Sequence, residues 1–296
     1  MSFKTRGKRK SCVFILTHGR PEKQVTLSTL RRLKYKGDWF LVLDDMDDTR
    51  SEYERKYGKE HIIVFDKIAE SKKVDTCDNF DKWGVILFAR SVCFRLAEER
   101  GYTHFLELDD DYKRFEIRWG EDEKLMCRAI EKIDAFFDLM WDYLDSARQI
   151  NAIAMMQGGD FIGGIKCLEQ RENKEAPRKV MNTFFCRTDR RVNFLGRINE
   201  DVNTYTREGN LGKVFLSLLP VSIVQGITQK NKGGMTETYI DGGTYLKSFY
   251  SVMVMPSAVK IGVMGDKQLR IHHAIDWGKC VPKILDPKYQ KRKRKH

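Results

Sequence analysis

The chain has 296 residues, 41% hydrophobic and 11% aromatic, enough to bury a sizeable core as one large domain or two small ones. No apolar run approaches the roughly 20 residues that span a bilayer, and no apolar stretch follows the basic start "MSFKTRGKRK", which argues against a secretory signal. The seven cysteines are scattered, odd in number and without CxxC spacing, so the expectation is reduced thiols in a cytoplasmic setting, not a disulfide framework or a zinc site. Of the net charge of +12, residues 1–10 and 288–296 supply eleven, as five and six Lys/Arg with no acid. The body between them is close to neutral. Such tails either hold a polyanion through salt-sensitive contacts or serve only as solubilising ends.

In chain order, "SCVFILT" (11–17) reads as a buried strand and "HGRPEKQ" as a turn into a helix, with Pro21 suited to its first turn. "EKQVTLSTLRRLKY" spaces Val25, Thr26, Leu30 and Leu33 along one helical face. "DWFLVLDD" (38–45) and "HIIVFDK" (61–67) are further strands. "VILFARSVCFRLAEERG" is a helix closed by Gly101. "THFLELDD" is the fourth strand. The alternation predicts an α/β layered domain with a largely parallel sheet. In such sheets sites lie beyond the carboxyl ends of strands, so Thr17–Arg20, Asp44–Asp45 and Asp109–Asp111 are placed to face one crevice.

The second half is less regular. Residues 123–149 read as one long amphipathic helix, "INAIAMMQ" (150–157) as a strand and "GGDFIGG" (158–164) as a flexible loop. Residues 166–179 read as polar and exposed, and "MNTFFCRT" as a strand. "INEDVNTYTREG" is expected to turn into a helix, residues 213–224 to form a strand and 229–237 a loop. A helix over 238–254 and a strand "SAVKIGVM" complete the reading. There is no repeat and no Pro-rich linker, which suggests a single catalytic body over 11–286 between tails 1–10 and 287–296.

Four stretches carry chemistry. In "FLELDDDY" three carboxylates leave a strand together. Asp109 and Asp111 can bring two side chains to one Mg²⁺ or Mn²⁺ with substrate phosphates completing the shell, or the cluster is a solvated, salt-bridged turn. In "RIHHAIDW", His272 or His273 can add an imidazole to that metal or be structural; on a strand, alternation lets only one reach the site. In "GRINEDVNTY", Asp201 or Glu200 is either a general base or a helix-start partner. "THGRP" offers a close backbone approach at Gly19 and a cation at Arg20, or an ordinary turn.

Taken in order, "ILTHGRP", "DTCDNFDKW", "ARSVCF", "FLELDDDY", "INEDVNTY", "KGGMTETYIDGGTYLKSFYSVMVMPSAVKI", "GDKQLRIHH" and "VPKIL" closely resemble the TET-associated glycosyltransferases of bacteriophages, from about Val13 to Leu285. The resemblance implies a GT-A type nucleotide-sugar transferase, with a central mostly parallel sheet flanked by helices. It would act in the cytoplasm of the infected bacterial host. The implied reaction is metal-dependent transfer of a sugar from a UDP-sugar to 5-hydroxymethylcytosine in double-stranded DNA, with Mn²⁺ or Mg²⁺ as cofactor and a TET-like dioxygenase supplying the acceptor base. Carried over by residue, Thr17, His18, Gly19 and Arg20 would border the nucleoside and Asp44 the uracil or ribose. Arg90 and Asp110 would lie near the donor sugar and ribose. Asp109 and Asp111 would approach metal and diphosphate with His272 or His273, and Asp201 would be the base. Cys77 departs from the family pattern, standing where a small residue such as Gly is expected. "GGDFIGG" would be an acceptor-side element, a wedge or a lid. Rival readings are a transferase with a protein, glycan or lipid acceptor, a metal-dependent nuclease or nucleotidyltransferase, and a non-catalytic DNA-binding module.

Overall fold

The computed structural model describes residues 9–81, 83–161, 164–166, 178–226, 235–264 and 269–282. Strands β1 (Ser11–Leu16), β2 (Asp38–Asp44), β3 (Ile62–Phe65) and β4 (His104–Asp109) lie parallel in the order β3-β2-β1-β4. Their apolar runs are continuous because both faces are covered. Cys12, Phe14 and Leu16 point to one layer, with Phe88, Val92 and Leu96 of α4 (Leu87–Glu99). Val13 and Ile15 point to the other, with Leu27 and Leu30 of α1 (Val25–Arg32), Tyr53 of α2 (Arg50–Tyr57) and Phe137 and Trp141 of α5 (Ile133–Ser146). A fifth helix of this half, α3 (Lys67–Ser71), is capped by Asp66, whose side chain accepts from Ala69 N. Gly101, at φ +70°, closes α4 as expected, its N–H reaching Glu98 O.

The sheet continues through β8 (Phe184–Arg187), β7 (Ile150–Met156), β9 (Val214–Gln225), β5 (Tyr112–Glu121) and β6 (Lys124–Ala129). β7 and β9 are parallel; the other pairings here are antiparallel. A central sheet flanked by helices is the α/β architecture that the resemblance implied. Beyond it, α6 (Glu200–Asn210) and α7 (Met235–Val254) accompany a separate ribbon of β10 (Val259–Met264) and β11 (Arg270–Ile275).

Four local readings change. Residues 123–149 are not one helix: β5 and β6 form a hairpin whose turn is Asp122 and Glu123, at φ +47° and +58°, and α5 starts only at Ile133. Helix α1 begins four residues after Pro21, where Thr26 N is held by Asp110 O at 3.0 Å, and buries Thr26, Leu27, Thr29 and Leu30. Helix α2, of which only Tyr53 is buried, has too little apolar periodicity to be read from sequence. Helix α7 starts at Met235, inside the expected loop. Arg9 and Lys10 of the N-terminal tail are docked: Arg9 pairs with Asp138 and Asp142, and Lys10 donates to Arg100 O. The remaining tail residues and residues 167–177 and 229–234 lie outside the described residues.

Candidate active site

Strands β1, β2 and β4 end level. Leu16 lies opposite Asp109, and Thr17 N donates to Val42 O at 3.3 Å. The three strand exits that sequence singled out therefore meet. Thr17 Oγ1 donates to Asp110 Oδ2 (2.6 Å) and accepts from Gln24 Nε2 (2.8 Å). Arg20 Nη1 faces Asp110 Oδ1 at 3.2 Å, and Arg20 N donates to Tyr53 Oη at 2.8 Å. Asp110 is thus a buried bracket between β4 and the turn after β1. Gly19 has φ +65°, a conformation that favours glycine, and donates its N–H to Asp47 Oδ2 at 2.8 Å. Nothing lies within 4 Å of where its Cβ would be, so the backbone there is open to approach.

Asp44 ends β2 between two cations. His18 Nδ1 donates to its Oδ2 at 2.9 Å and Lys67 Nζ lies 3.1 Å from the same oxygen. Burial pushes this carboxyl up, but the bond from His18 and the charge of Lys67 outweigh it and hold it below its usual range. The same bond holds the His18 imidazole above its usual range. Its rim is half-exposed, so His18 can meet a ligand.

Beneath the strand ends sits one fully buried cation, Arg90 of α4. Its Nε donates to Glu200 Oε1 (2.9 Å), its Nη2 to Asp109 Oδ1 (3.1 Å), and its Nη1 lies 3.7 Å from Glu107 Oε2. Its guanidinium stacks over Phe184 at 4.7 Å. Burial works against its charge, yet Asp109, Glu200 and Glu107 together raise its pKa. Glu107 has no hydrogen-bond partner on either oxygen, and burial pushes its carboxyl up to about 8. The charge that makes "FLELDDDY" tolerable is therefore divided: Arg90 serves Asp109, and Arg20 serves Asp110.

Asp111 is left over. Among the described residues it has no ion pair, and burial together with Asp109 and Asp110 pushes it up to about 6. This surplus of negative charge is what a divalent cation would offset, so Asp111 and the second oxygen of Asp109 fit a metal. The histidines belong to the two-stranded ribbon, not to the central sheet. His272 and His273 lie on β11, their rings 4.2 Å apart and tilted by 31°, so neighbouring side chains of this twisted ribbon meet instead of diverging. His273 Nδ1 is buried without a partner, and burial lowers its pKa to about 4, leaving a neutral imidazole. No hydrogen bond or ion pair joins either histidine to Asp109 or Asp111, and among the described residues no three His, Cys, Asp or Glu side chains converge as metal ligands.

Asp201 sits in the first turn of α6, buried, with its Oδ1 accepting from Val202 N at 2.7 Å. Glu200 is spent on Arg90; Asp201 has no ion pair among the described residues. Burial raises its pKa, and the charge of Asp109 adds to the rise. The acid is thus within the electrostatic reach of the strand-end cluster and better suited to take a proton than an exposed aspartate. Helix α6 is nearly all buried although mostly polar, because Thr204 and Thr206 bond back to Glu200 O and Val202 O, and Asn203 Nδ2 to Ile198 O. Sequence reasoning missed Asp47, Tyr53, Lys67 and Glu107. Only Glu107, an acid inside an apolar strand, carried a local signal. Cys77, the departure from the family pattern, has φ +58°, the left-handed region where glycine is favoured.

Residues 11–234 match the family described as TET-Associated Glycosyltransferase. No curated protein matches the chain. Among solved structures, it is similar to glucosyl-3-phosphoglycerate synthase from Mycobacterium tuberculosis. In complex with Mn²⁺, UDP and phosphoglyceric acid, that protein shows 10% identity and a TM-score of 0.45, covering 90% of this chain and 87% of that one. Its complex with Mg²⁺ and UDP gives 10% identity, 90% and 88% coverage and a TM-score of 0.45. Its complex with Mn²⁺ and UDP-glucose gives 10%, 90% and 87%, and 0.43.

Proposed function

We propose that this chain, which belongs to the TET-associated glycosyltransferase family, moves a hexose from a UDP-sugar to the hydroxymethyl oxygen of 5-hydroxymethylcytosine in double-stranded DNA. The observation that carries the reading is the meeting of the three strand exits. One set of strand ends gathers an open backbone at Gly19, the bracketed Asp110 and Arg20, the uncompensated Asp111 and, within electrostatic reach, the buried Asp201.

The donor nucleoside lies along Thr17–Arg20 and Asp44, with His18 and Arg20 at its rim. Asp109 and Asp111 would hold a Mn²⁺ or Mg²⁺ ion, which when bound would offset the charge gathering on the departing UDP. Asp201 takes the proton from the hydroxymethyl group. Its oxygen bonds to the anomeric carbon while the bond from that carbon to UDP breaks, and UDP leaves with the electron pair. Attack from the side opposite UDP inverts the sugar's configuration. Arg90, buried beneath the donor sugar's expected place, keeps Asp109 and Glu200 in position. The family's description and the basic chain ends support DNA as acceptor. A hydroxymethyl group in a duplex projects into the major groove, where a protein can reach it, unless the crevice demands a flipped base. A TET-like dioxygenase would make the acceptor base.

The test is a mass-spectrometric assay with Mn²⁺, a panel of UDP-sugars and matched duplexes carrying cytosine, 5-methylcytosine or 5-hydroxymethylcytosine. A hexose-sized gain confined to the hydroxymethylated duplex is expected. UDP release without gain on any duplex would move the acceptor to a protein or glycan. Neither gain nor UDP release would overturn the reading.

A further inference from the structure

Over residues 245–254 helix α7 turns its largest apolar side chains outward. Its packed side is held by hydroxyl groups: Ser248, Tyr250 and Ser251 are almost fully buried. Ser248 Oγ donates to Ile271 O (3.0 Å), Asn199 Nδ2 donates to Lys247 O (2.7 Å) and Ser251 Oγ (3.1 Å), and Tyr250 Oη donates to Asp78 Oδ2 (2.5 Å). These bonds tie the helix to β11, to the residue preceding α6 and to the loop around Asp78. Its outer side carries Tyr245, Phe249 and Met253, which are 62%, 51% and 57% exposed. The three stand four residues apart and so form one stripe, about 12 Å long at the helical rise.

Ordinary surface helices bury such residues and expose serines. The described residues leave at least half of each of these three side chains open, which marks the stripe as a contact surface for a partner. The stripe's chemistry narrows what that is. Between Tyr245 and Val254 the only charged residue is Lys247. A polyanion would need a row of cations there, and a membrane-surface helix would need them on its polar side. The stripe is also nearly symmetrical about Phe249, with one large apolar side chain a turn to either side. A surface of that kind complements itself when a second copy approaches antiparallel, which is the requirement of a two-fold contact.

We infer that α7 is the homodimer contact of this protein: Phe249 meets the partner's Phe249 on the two-fold axis, and Tyr245 meets the partner's Met253 on each side. Ring against ring and sulfur against ring are both favourable pairings. A side chain of this size offers about 200 Å² when fully buried, so the stripe supplies roughly 300 Å² of apolar surface per copy. That is an apolar centre of the right scale for a standard interface of about 800 Å² per partner, whose rim is polar. The inference does not depend on the proposed reaction. It does place the dimer contact on the helix that braces Asn199, next to the turn bearing Asp201, so each copy would steady the other's candidate base.

Sedimentation velocity over a range of concentrations tests it. The wild-type chain is expected to run at twice its monomer mass at the upper end and Phe249→Glu as a monomer, with unchanged circular dichroism. A Phe249→Cys variant under mild oxidation is expected to form a covalent dimer that the wild type, treated alike, does not. A wild-type chain that is monomeric throughout overturns the proposal. So does a dimer that Phe249→Glu leaves intact. If the wild type is monomeric and Phe249→Glu instead loses duplex affinity, the face belongs to DNA and the dimer is refuted.

Discussion

Replacing Arg90 with methionine probes the centre of the site most directly. The side chain is fully buried, and three carboxylates converge on it at 2.9, 3.1 and 3.7 Å. Methionine keeps much of the volume and removes the charge and the donors. Breaking a buried ion pair from one side costs about 3–5 kcal/mol, because the partner is left buried and uncompensated. Against a total stability of about 5–15 kcal/mol that is a large share. For a chain near this size it lowers the melting temperature by about 2–4 °C per kcal/mol, hence by roughly 6–20 °C. The sign of the pH dependence follows from linkage. Without Arg90, the folded-state pKa values of Asp109, Glu200 and Glu107 rise further above their unfolded values. Stability is then lost as pH rises from the unfolded toward the folded values, so the deficit is larger at about pH 8 than at about pH 5.5. Urea unfolding at both pH values measures it. A loss under about 1 kcal/mol, or one equal at the two pH values, would refute the view that these carboxylates share Arg90 as their counter-ion.

Other expectations follow from the same geometry. Glu107→Gln removes a carboxyl held up to about 8 with neither oxygen hydrogen-bonded. It should flatten the fall in stability that such a group imposes between about pH 4.5 and 8, a change readable by thermal melts across that range. Asp111→Asn should abolish transfer while leaving the protein at least as stable, since it relieves repulsion with Asp109 and Asp110. In the wild type the thermal shift produced by Mn²⁺ should fade as pH drops through about 6, where Asp111 gains its proton, and in the variant it should be absent; an equal shift in both would remove Asp111 from the metal site. Cys77→Gly should be neutral or stabilising by up to about 1 kcal/mol, whereas Cys77→Val should cost more than that, because φ is +58°. Burial and Asp75 push the Cys77 thiol up to about 11, so iodoacetamide at neutral pH should modify exposed Cys127 well before Cys77. Trimming residues 287–296 should weaken duplex binding and reduce its salt dependence while UDP-sugar hydrolysis persists; unchanged binding would show that the tail is not the DNA contact.

Most of the parallel half of the sheet was legible in the sequence. Continuous apolar runs ended by Thr17, Asp44 and Asp109 mark parallel strands covered on both faces, and parallel strands carry their polar exits to one edge. The same logic brought the turn bearing Thr17 and Arg20 to Asp110. It failed over residues 123–149, where the turn residues Asp122 and Glu123 gave no glycine to announce a hairpin and the apolar residues of α5 extended the helical reading backwards. It failed again at His272 and His273, where strict alternation does not survive the twist of a two-stranded ribbon.

What the sequence by itself determined is the α/β class, the strand ends and the identity of the acids, since these rest on local periodicity and on residues a few positions apart. Only the tertiary structure decided how the charge is shared. Arg90 lies 110 positions from Glu200, yet one guanidinium joins it to Asp109, while Arg20 takes Asp110 and Asp111 has no ion pair among the described residues. Nothing in a run of three aspartates distinguishes its members. The partner each one meets does, and those partners come from separate helices and turns brought together only when the two faces of the sheet are packed.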